Sequence, residues 1–377
     1  MSYKPKTKLG ILGGGQLGRM LIQETINLDI DVHILDPDQN APCRDIAHSF
    51  TQGSFKDYDS VLAFGKNIDV VTIEIEHVNV EALEKLESQG VKVYPQPNVI
   101  RLIQDKGAQK EFYAKHEIPT SPYRLIAENE AKNHTDFFPV FQKLRKGGYD
   151  GKGVQALKSV NDLSKAFTEP SVLEKAVDLE KELSVIVARN EAGEIKTFPT
   201  VELEFNPIAN LVEFLFSPAN VSDEVEKTSQ DLARKIAEKL EIVGLLAVEL
   251  FLDKEGNVLV NEIAPRPHNS GHQSIEGNYT SQFMQHVRAI LGITLGNTEI
   301  VKPSVMVNLL GEDGFTGEAV YEGLGDVLAM KGVNVHLYGK RLTKPFRKMG
   351  HITVISETLE EAKSTAKKVQ QTLKVKA

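Results

Sequence analysis

Two glutamates on either side of a short turn are the residues best suited to hold a metal ion. They lie in GLLAVELFLDKEGNVLVNEIAPRPHNSGH, which reads as a strand, an Asp-Lys-Glu-Gly-Asn turn and a returning strand. If Leu252 pairs with Val258 or Leu259, Glu249 lies beside or opposite Glu262. Facing carboxylates repel unless a cation lies between them, and magnesium is normally held by one or two carboxylates plus substrate phosphates. The alternative, two glutamates splayed into solvent, is disfavoured because their neighbours are strongly apolar.

A glycine-rich loop with cations on both sides is a second candidate site. It lies in FFPVFQKLRKGGYDGKGVQALKS, between two strand-like runs. Its glycines are Gly147, Gly148, Gly151 and Gly153, and its cations are Lys143, Arg145, Lys146 and Lys152. Glycines let backbone N–H groups approach an anion and lysines add charge, although the spacing does not fit G-x-x-x-x-G-K-[ST]. The stretch predicts a phosphate-binding hairpin or, alternatively, an exposed basic hairpin.

A third candidate is the stretch LGILGGGQLGRM near the N-terminus. Gly13, Gly15 and Gly18 match G-x-G-x-x-G, and Asp36 follows Gly18 by eighteen residues. A carboxylate about 20 residues beyond such a loop commonly holds the adenine ribose of a dinucleotide. Taken alone, the motif favours NAD.

The elements around this loop follow from hydrophobic periodicity. Strand-like KLGILG, DVHIL, DVVTIEI and VKVYP alternate with helix-like LGRMLIQETINL, DYDSVLAFGKN and NVEALEKLESQG. This order predicts a doubly wound parallel sheet, in which ligands bind beyond the carboxyl ends of the strands. Those ends carry Gly13–Gly15, Asp36 and Glu76.

The segments after the first hundred residues have a different pattern of predicted elements. A helical pattern runs from Asn98 to His116, and hairpins follow it, so we place a domain boundary near Arg101. Beyond residue 300, the strand-like SVMVNLLGEDG and VNVHLYGK precede the charged helix TLEEAKSTAKKVQQTL. These patterns predict a small C-terminal α+β unit.

Composition limits the class of protein. With 377 residues we expect two or three domains, and the net charge of −8 argues against nucleic acid as a partner. The single cysteine, Cys43, rules out an intramolecular disulfide and a cysteine-rich zinc site. No signal peptide or apolar run of membrane-spanning length is found, so we expect a cytoplasmic enzyme with no membrane partner.

Four motifs together resemble a known family. GGGQLGRML, RKGGYDGKG, NEIAPRPHNSGH and YGK…FRKMGH are similar to those of the ATP-grasp superfamily and, within it, of the 5-(carboxyamino)imidazole ribonucleotide synthetases. The resemblance runs from about Lys8 to beyond His351. It implies a doubly wound substrate-binding domain over 1–100, an ATP-grasp domain over 101–295 with a lid at about 120–185, and a small C-terminal domain over 296–377.

The resemblance also implies a reaction. ATP, bicarbonate and 5-aminoimidazole ribonucleotide react through carboxyphosphate in purine biosynthesis, with magnesium as cofactor and a homodimer as the expected assembly. The first-domain glycine loop then seats the phosphate of the ribonucleotide rather than NAD. Two alternatives stay open: a formate-dependent transformylase of the same superfamily, and an NAD-dependent oxidoreductase, which gives Glu249, Glu262 and Lys143 no role.

Site residues carry over position by position as implications of the resemblance. The expected ATP site comprises Arg101, Lys143, Gly148, Tyr149, Asp150, Gly151, Lys152, Gly153, Val154, Glu174, Lys175, Ala176, Val177, Glu182, Asn261 and Glu262. Magnesium is expected on Glu249 and Glu262. The expected ribonucleotide site comprises Gly15, Gln16, Leu17, Asp36, Glu76, Asn269, Lys340 and Arg347, and the expected catalytic residues are Arg266, His268, Tyr149 and Asp150.

Two positions depart from the family pattern. Phe205 stands where a histidine is expected near the nucleotide, and Lys344-Pro345-Phe346 replaces an expected Arg-Pro-Gly. The nucleotide contact and the path of the loop before Arg347 are therefore open at this point.

Overall fold

A computed structural model describes residues 4–148, 153–205 and 212–377 of the chain. No helix in these residues is long and apolar enough to cross a membrane.

The first unit is the predicted doubly wound sheet. Its elements are β1 (Lys8–Leu12), α1 (Gln16–Ile26), β2 (Asp31–Asp36), β3 (Ser49–Gln52), α2 (Tyr58–Gly65), β4 (Val70–Ile73), α3 (Val80–Ser88) and β5 (Lys92–Val93). The strands are all parallel, in the order β3-β2-β1-β4-β5, so apolar residues of β1 are buried on both faces. The turn after β1 and the ends of β2 and β4 therefore lie at one edge of the sheet, as predicted.

The helical pattern over 98–116 is two helices rather than one. They are α4 (Pro97–Ile103) and α5 (Lys106–Lys115). Asp105 breaks the pattern because its side chain accepts hydrogen bonds from the N–H groups of Gly107 and Ala108 and so caps α5. A helix N-terminus consequently lies where the sequence predicted a helix interior.

A four-stranded antiparallel sheet fills most of the predicted lid. Its strands are β6 (Tyr123–Ile126), β7 (Val140–Leu144), β8 (Val154–Leu157) and β9 (Ser171–Lys175), in the order β6-β9-β7-β8. One 3₁₀ segment, Ala131–Phe137, lies between β6 and β7, and another, Val160–Lys165, lies between β8 and β9. This sheet buries its own small hydrophobic cluster, so it forms a separate packing unit.

The remaining elements build a second, larger sheet and its helices. They are β10 (Leu179–Arg189), β11 (Ile195–Thr197), β12 (Val201–Phe205), β13 (Val212–Ser217), α6 (Asp223–Leu240), β14 (Gly244–Asp253), β15 (Val258–Ala264), a 3₁₀ segment (Asn269–Gly271), α7 (Ser274–Gly277), α8 (Gln282–Ile290), β16 (Ser304–Leu310), β17 (Gly317–Glu318), β18 (Val320–Glu322), α9 (Leu324–Leu328), β19 (Val333–Leu337), β20 (Leu342–Thr343), β21 (Lys348–Ile355), α10 (Leu359–Thr372) and β22 (Lys374–Lys376). The strand order is β15-β14-β10-β12-β13-β16-β21-β19, with β11 on β10.

The C-terminal strands join this large sheet. β16 pairs with β13, so β16, β21 and β19 continue the sheet of the preceding domain instead of forming an independent one. The predicted helix over TLEEAKSTAKKVQQTL is α10, which buries Ala362, Ala366 and Val369 against these strands. The C-terminal unit is thus α+β, as expected, but shares its sheet.

Polar and apolar contacts hold the three parts together. One hydrophobic cluster includes Leu21 of α1, Phe283 of α8 and Tyr338 after β19. At a buried position, Thr72 Oγ1 and His286 Nε2 are 2.9 Å apart, which joins β4 to α8. The edge of the first sheet is therefore fixed against both later units.

Candidate active site

Glu249 and Glu262 face each other across the β14–β15 hairpin. Their Cα atoms are partners in the antiparallel ladder, and Leu252 pairs with Val258 as the sequence predicted. The register then shifts, which leaves Asn261 as the extra residue of a β-bulge. The predicted carboxylate pair is confirmed as a geometric feature.

The bulge brings two consecutive residues into one site. In a regular strand, neighbouring side chains point to opposite faces of the sheet. Here Asn261 Oδ1 accepts a hydrogen bond from Lys143 Nζ at 2.8 Å, while Glu262 Oε2 accepts one from Lys106 Nζ at 2.6 Å. Both side chains line one small cavity together with Lys110.

The two carboxylates have very different electrostatic environments. Burial, and then the charge of Glu262, raise the pKa of Glu249. Lys106 lowers the pKa of Glu262 despite its burial. The ammonium of Lys106 thus supplies the nearest positive charge to the pair, through its contact with Glu262.

Three lysines converge beside this pair. Lys143 Nζ is 3.1 Å from Glu174 Oε2, and Lys110 Nζ is 3.4 Å from the same oxygen. Burial lowers the pKa of Lys110 to about 8 and raises that of Glu182 to about 7. The lysines outnumber the carboxylates that contact them directly, so this cavity favours anions such as phosphates.

Lys106 and Lys110 were missed by the sequence analysis. They lie four residues apart at the start of α5, where like charges on one helix face repel and the helix dipole disfavours cations. That unfavourable placement was the available signal. It was hidden because the pattern over 98–116 was read as one continuous helix.

Arg101, expected at the ATP site, lies elsewhere. Its guanidinium contacts Glu81 at 3.1 Å and Glu84 at 2.9 Å, both on α3. Among the described contacts, none joins Arg101 to the lysine and carboxylate cluster. The structure does not bring it together with the other expected ATP ligands.

The glycine-rich hairpin has the predicted form where it is described. β7 and β8 pair, and Gly147, Gly148 and Gly153 have φ angles of +74°, +83° and +78°, which favour glycine. The expected ligands Tyr149, Asp150, Gly151 and Lys152 lie outside the described residues. Val154 begins β8, close to the described glycines.

The remaining ATP candidates follow Glu174 along the chain. Lys175 ends β9, and Ala176 and Val177 lead from it into β10, whose residue Glu182 faces the lysine cluster. Lys175 Nζ donates to Phe138 O and Ala176 N to Pro139 O. This connection joins the lid sheet to the large sheet.

The first glycine loop holds a carboxylate of the protein itself. Glu74 Oε1 accepts a hydrogen bond from Leu17 N at the start of α1, and a Cβ on Gly15 would lie 2.5 Å from that oxygen. Burial raises the pKa of Glu74 to about 7. A side chain at position 15 would therefore collide with Glu74, and the role of Gly15 in seating a substrate phosphate stays a prediction.

Asp36 also serves the loop. Its Oδ2 accepts a hydrogen bond from Gly14 N at 2.7 Å, and its Oδ1 accepts one from Asp38 N. The carboxylate that suggested an adenine ribose contact is thus engaged by the loop. This geometry gives the dinucleotide interpretation no support.

Arg266 reaches the first unit. Its Nη2 is 3.0 Å from Glu76 Oε1, and its Nη1 donates to Pro267 O. Arg266 Nε is buried and has no partner among the described residues. The predicted residues Arg266 and Glu76 are therefore in contact across two units, and the guanidinium keeps one buried N–H without a described partner.

His268 reaches the carboxylate pair. Its Nε2 lies 3.6 Å from Glu249 Oε1, and its Nδ1 lies 2.9 Å from Ser270 Oγ. Gln282 holds the backbone in place, because its amide bonds both the N–H and the C=O of His268. Asn269 exchanges two amide hydrogen bonds with Asn308 at 2.9 Å, which ties this segment to β16.

Lys340 meets the first glycine loop from the far end of the chain. Its Nζ donates to Gln16 Oε1 and to Lys348 O, each at 2.6 Å. Arg347 Nη1 donates to Leu342 O. The predicted neighbours Gln16 and Lys340 are brought together.

The two departures from the family pattern have structural explanations. Phe346 has a φ of +61°, so the backbone keeps a left-handed conformation at the position where glycine was expected. Phe205 ends β12 and packs against a small hydrophobic cluster. The loop before Arg347 thus turns as a glycine would allow, while Phe205 has an apolar role.

Comparisons with known proteins agree with this arrangement. Three family models match: a ribonucleotide synthetase preATP-grasp domain over 6–104, an ATP-grasp domain over 111–283 and a phosphoribosylaminoimidazole carboxylase C-terminal domain over 304–365. The chain is 36% identical over 366 residues to N5-carboxyaminoimidazole ribonucleotide synthase of Bacillus subtilis, a match covering 95% of this chain and 93% of that protein. It is 40% identical over 368 residues to chloroplastic phosphoribosylaminoimidazole carboxylase of Vigna aconitifolia. That match covers 94% of this chain but only 65% of the relative, which is longer.

Solved structures give the same result. N5-carboxyaminoimidazole ribonucleotide synthetase from Thermotoga maritima matches with a TM-score of 0.90 and 43% identity, covering 98% of this chain and 99% of that one. N5-carboxyaminoimidazole synthase from Aspergillus clavatus, in complex with ADP and 5-aminoimidazole ribonucleotide, matches with a TM-score of 0.88 and 35% identity. The match covers 97% of this chain and 98% of that one.

Proposed function

The chain belongs to the family of N5-carboxyaminoimidazole ribonucleotide synthetases, ATP-grasp ligases that form a carbon–nitrogen bond, and from that premise we propose how its own residues carry out the reaction. The reaction is the ATP-dependent carboxylation of 5-aminoimidazole ribonucleotide with bicarbonate. ADP and phosphate are the other products.

One observation carries this proposal. The segment Ala264–Asn269 contacts Glu76 of the first unit through Arg266 and Glu249 of the hairpin through His268. A molecule held at the first sheet edge and a nucleotide held at the lysine cluster would therefore meet at these two side chains. Such proximity is what a transfer through an unstable intermediate requires.

Lys106, Lys110 and Lys143 bind the ATP phosphates in this proposal. They form one cavity with Glu262 and Asn261, and Lys106 exchanges its contact with Glu262 for a phosphate oxygen. The described residues contain no group of three or more His, Cys, Asp or Glu able to hold a metal by themselves. Glu249 and Glu262, which face each other in the β14–β15 ladder, would hold magnesium together with phosphate oxygens, and the ion would neutralise part of the phosphate charge.

Arg266 binds bicarbonate. Its planar fork matches a carboxylate, and its Nε is free of any described partner. A bicarbonate oxygen attacks the γ-phosphorus as the bond to the ADP oxygen breaks, which forms carboxyphosphate and releases ADP. This step depends on positioning and charge, which Arg266 and the lysines provide.

His268 accepts the proton that is released in the second step. Carboxyphosphate breaks its C–O bond to give carbon dioxide and phosphate, and the amine nitrogen of the ribonucleotide bonds to the carbon. The proton lost by the amine passes to His268 Nε2, which lies 3.6 Å from Glu249. Closure of strands β7 and β8 over the site would exclude water from the labile intermediate.

The ribonucleotide phosphate is held by Lys340, Arg347 and the N–H groups at the start of α1. Lys340 already contacts Gln16 there. Because Glu74 fills the space beside Gly15, the phosphate lies on the Gln16 and Lys340 side of the loop. Its placement still benefits from the helix N-terminus.

The test is ADP release with one substrate omitted at a time. We expect turnover with ATP, magnesium, bicarbonate and 5-aminoimidazole ribonucleotide. Omitting bicarbonate or the ribonucleotide should abolish formation of the carboxylated ribonucleotide. If formate replaces bicarbonate and yields a formylated product, the chain is a transformylase instead. Hydride transfer from NADH without ADP formation would overturn the proposal altogether.

We further propose a homodimer in the cytoplasm. Both follow from the family resemblance. Light scattering should give twice the 41.7 kDa chain mass.

A further inference from the structure

A chain of contacting polar side chains runs behind Lys340. It consists of Glu276 on α7, His336 on β19, His351 on β21 and Tyr338 after β19, and we refer to these four residues as the histidine chain. Glu276 belongs to the segment that follows Arg266 and His268. The other three belong to the C-terminal strands.

Each link of the histidine chain is a direct contact. His336 Nε2 lies 2.7 Å from Glu276 Oε1. The rings of His336 and His351 are stacked, with centroids 4.5 Å apart and planes 8° from parallel. The hydroxyl of Tyr338 lies 3.1 Å from His351 Nδ1.

The histidine chain ends under the ammonium of Lys340. Lys340 Nζ is 5.3 Å from the centre of the Tyr338 ring, within cation–π range. The same nitrogen donates to Gln16 Oε1 and Lys348 O. The ring orientation of Tyr338 therefore bears directly on where Lys340 lies relative to the first glycine loop.

Stability alone does not explain the chain. His351 is fully buried, and its Nε2 and Glu276 Oε2 have no partner among the described residues. Buried polar atoms without partners are unfavourable, and apolar side chains of similar volume would fill the same space without that penalty. Orientation is what these groups provide and apolar residues would not.

We propose that the histidine chain positions Lys340 for the ribonucleotide phosphate. Glu276 orients His336, the stack orients His351, and the hydroxyl of Tyr338, held by His351, fixes the ring beneath Lys340. The inference rests on the proposed function, since it assigns Lys340 to the phosphate. Tyr338, His351 and His336 are positioning residues, because they act through Lys340 and not on the substrate.

The test compares Michaelis constants for the two nucleotides. Tyr338→Phe keeps the ring and removes only the hydroxyl, so we expect the KM for 5-aminoimidazole ribonucleotide to rise about three- to tenfold while the KM for ATP stays unchanged. His336→Asn, which cuts the chain at its other end, should shift the same constant in the same direction. In a Lys340→Ala background, Tyr338→Phe should have no further effect.

His286→Gln is the matched control. His286 is as deeply buried as His351 and is also hydrogen bonded, but it lies outside the histidine chain. We expect it to lower the melting temperature without raising the ribonucleotide KM. Equal changes in both KM values, or an unchanged KM in Tyr338→Phe beside a raised one in Lys340→Ala, would overturn the inference. A wild-type protein that does not carboxylate the ribonucleotide would instead contradict the proposed function.

Discussion

At the scale of single residues, Lys106 decides the behaviour of the two facing glutamates. Glu262 is stabilised as an anion by the ammonium 2.6 Å away, whereas Glu249 is buried beside a second negative charge. The same substitution at the two positions should therefore have opposite effects on stability. Both positions remain in the proposed metal site.

We expect Glu249→Gln to raise the melting temperature above neutral pH. The pKa of Glu249 is raised in the folded protein, so the fold favours its protonated form and loses stability as pH rises through and beyond the ordinary carboxyl range. Glutamine removes that loss, and the gain should vanish near pH 4. A scanning calorimetry series from pH 4 to 8.5 checks the prediction.

Glu262→Gln is the counterpart. It leaves Lys106 without its closest anion, so it should lower the melting temperature at neutral pH. Both variants should lose more than a hundredfold in turnover, since each removes one proposed magnesium ligand. An active Glu262→Gln enzyme would contradict the metal assignment.

Arg266→Lys tests the guanidinium fork. Lysine keeps the charge but cannot make bidentate contacts, so we expect kcat/KM for bicarbonate to fall about 10- to 100-fold, equivalent to roughly 1.4–2.8 kcal/mol. ATP affinity, measured by titration calorimetry, should be nearly unchanged. Arg101→Lys is the control: with its guanidinium on Glu81 and Glu84, we expect neither constant to change, and weaker ATP binding would return Arg101 to the nucleotide site.

At the scale of elements, the loop before Arg347 has a conformation that its sequence does not favour. Phe346 has a φ of +61° and is 42% exposed, so its ring gains little from burial. A left-handed conformation costs a non-glycine residue roughly 1–2 kcal/mol. A glycine at the same position avoids this cost but loses more conformational entropy on folding, so its net advantage is smaller. The loop thus keeps its path at the expense of stability.

Phe346→Gly should accordingly stabilise the protein. We expect a gain of about 0.5–1 kcal/mol, seen as a rise of roughly 1–3 °C in the melting temperature. Tyr279→Gly, which removes another exposed aromatic residue from a backbone without positive φ, should destabilise it. Similar losses in both variants would show that the ring of Phe346 contributes more than its backbone costs.

The sequence allowed the periodic features to be predicted, but not features that depend on local hydrogen bonds. The parallel order of the first sheet and the facing of Glu249 and Glu262 both follow from alternation and turn residues. The bulge at Asn261 does not, because one inserted residue leaves the apolar pattern nearly unchanged. The break at Asp105 depends on its side-chain hydrogen bonds to Gly107 and Ala108, which periodicity does not show, so the two lysines of α5 were missed with it.

Contacts between distant segments were the other limit. Glu74 was not expected in the first glycine loop, since glycines in such a loop are explained equally well by a ligand or by a protein carboxylate. Lys340 was placed beside Gln16 only through the family resemblance. Nothing in strand or helix periodicity specifies which distant side chain fills a given space.

At the scale of the whole molecule, buried neutral histidines make stability depend on pH. His272, His286 and His351 are fully buried, and burial lowers the pKa of each, to about 3 for His286. In the unfolded chain they protonate near pH 6.5, so the unfolded state binds more protons and stability falls as pH drops below that value. Each histidine contributes up to about 1.4 kcal/mol per pH unit there.

His286→Gln isolates one of these contributions. Glutamine loses hydrogen bonds to Thr72 and Leu245 but does not titrate. We therefore expect the melting temperature of the variant to lie below that of the wild type at pH 8, with the difference narrowing by pH 5. A constant difference across that range would mean that His286 can be protonated within the fold.

The contact between Gln16 and Lys340 joins positions 324 residues apart. On a ribosome, which makes the N-terminus first, the proposed nucleotide pocket is complete once the β14–β15 hairpin has emerged, whereas the proposed ribonucleotide pocket waits for nearly the last tenth of the chain. An unfinished polypeptide could thus hold ATP while lacking the means to hold the acceptor. A site without an acceptor would hydrolyse ATP to no purpose. Late synthesis of Lys340 prevents this only if the lid stays open until Lys340 has emerged. Arrested nascent chains of increasing length, assayed for ATP hydrolysis, would show whether the lid stays open.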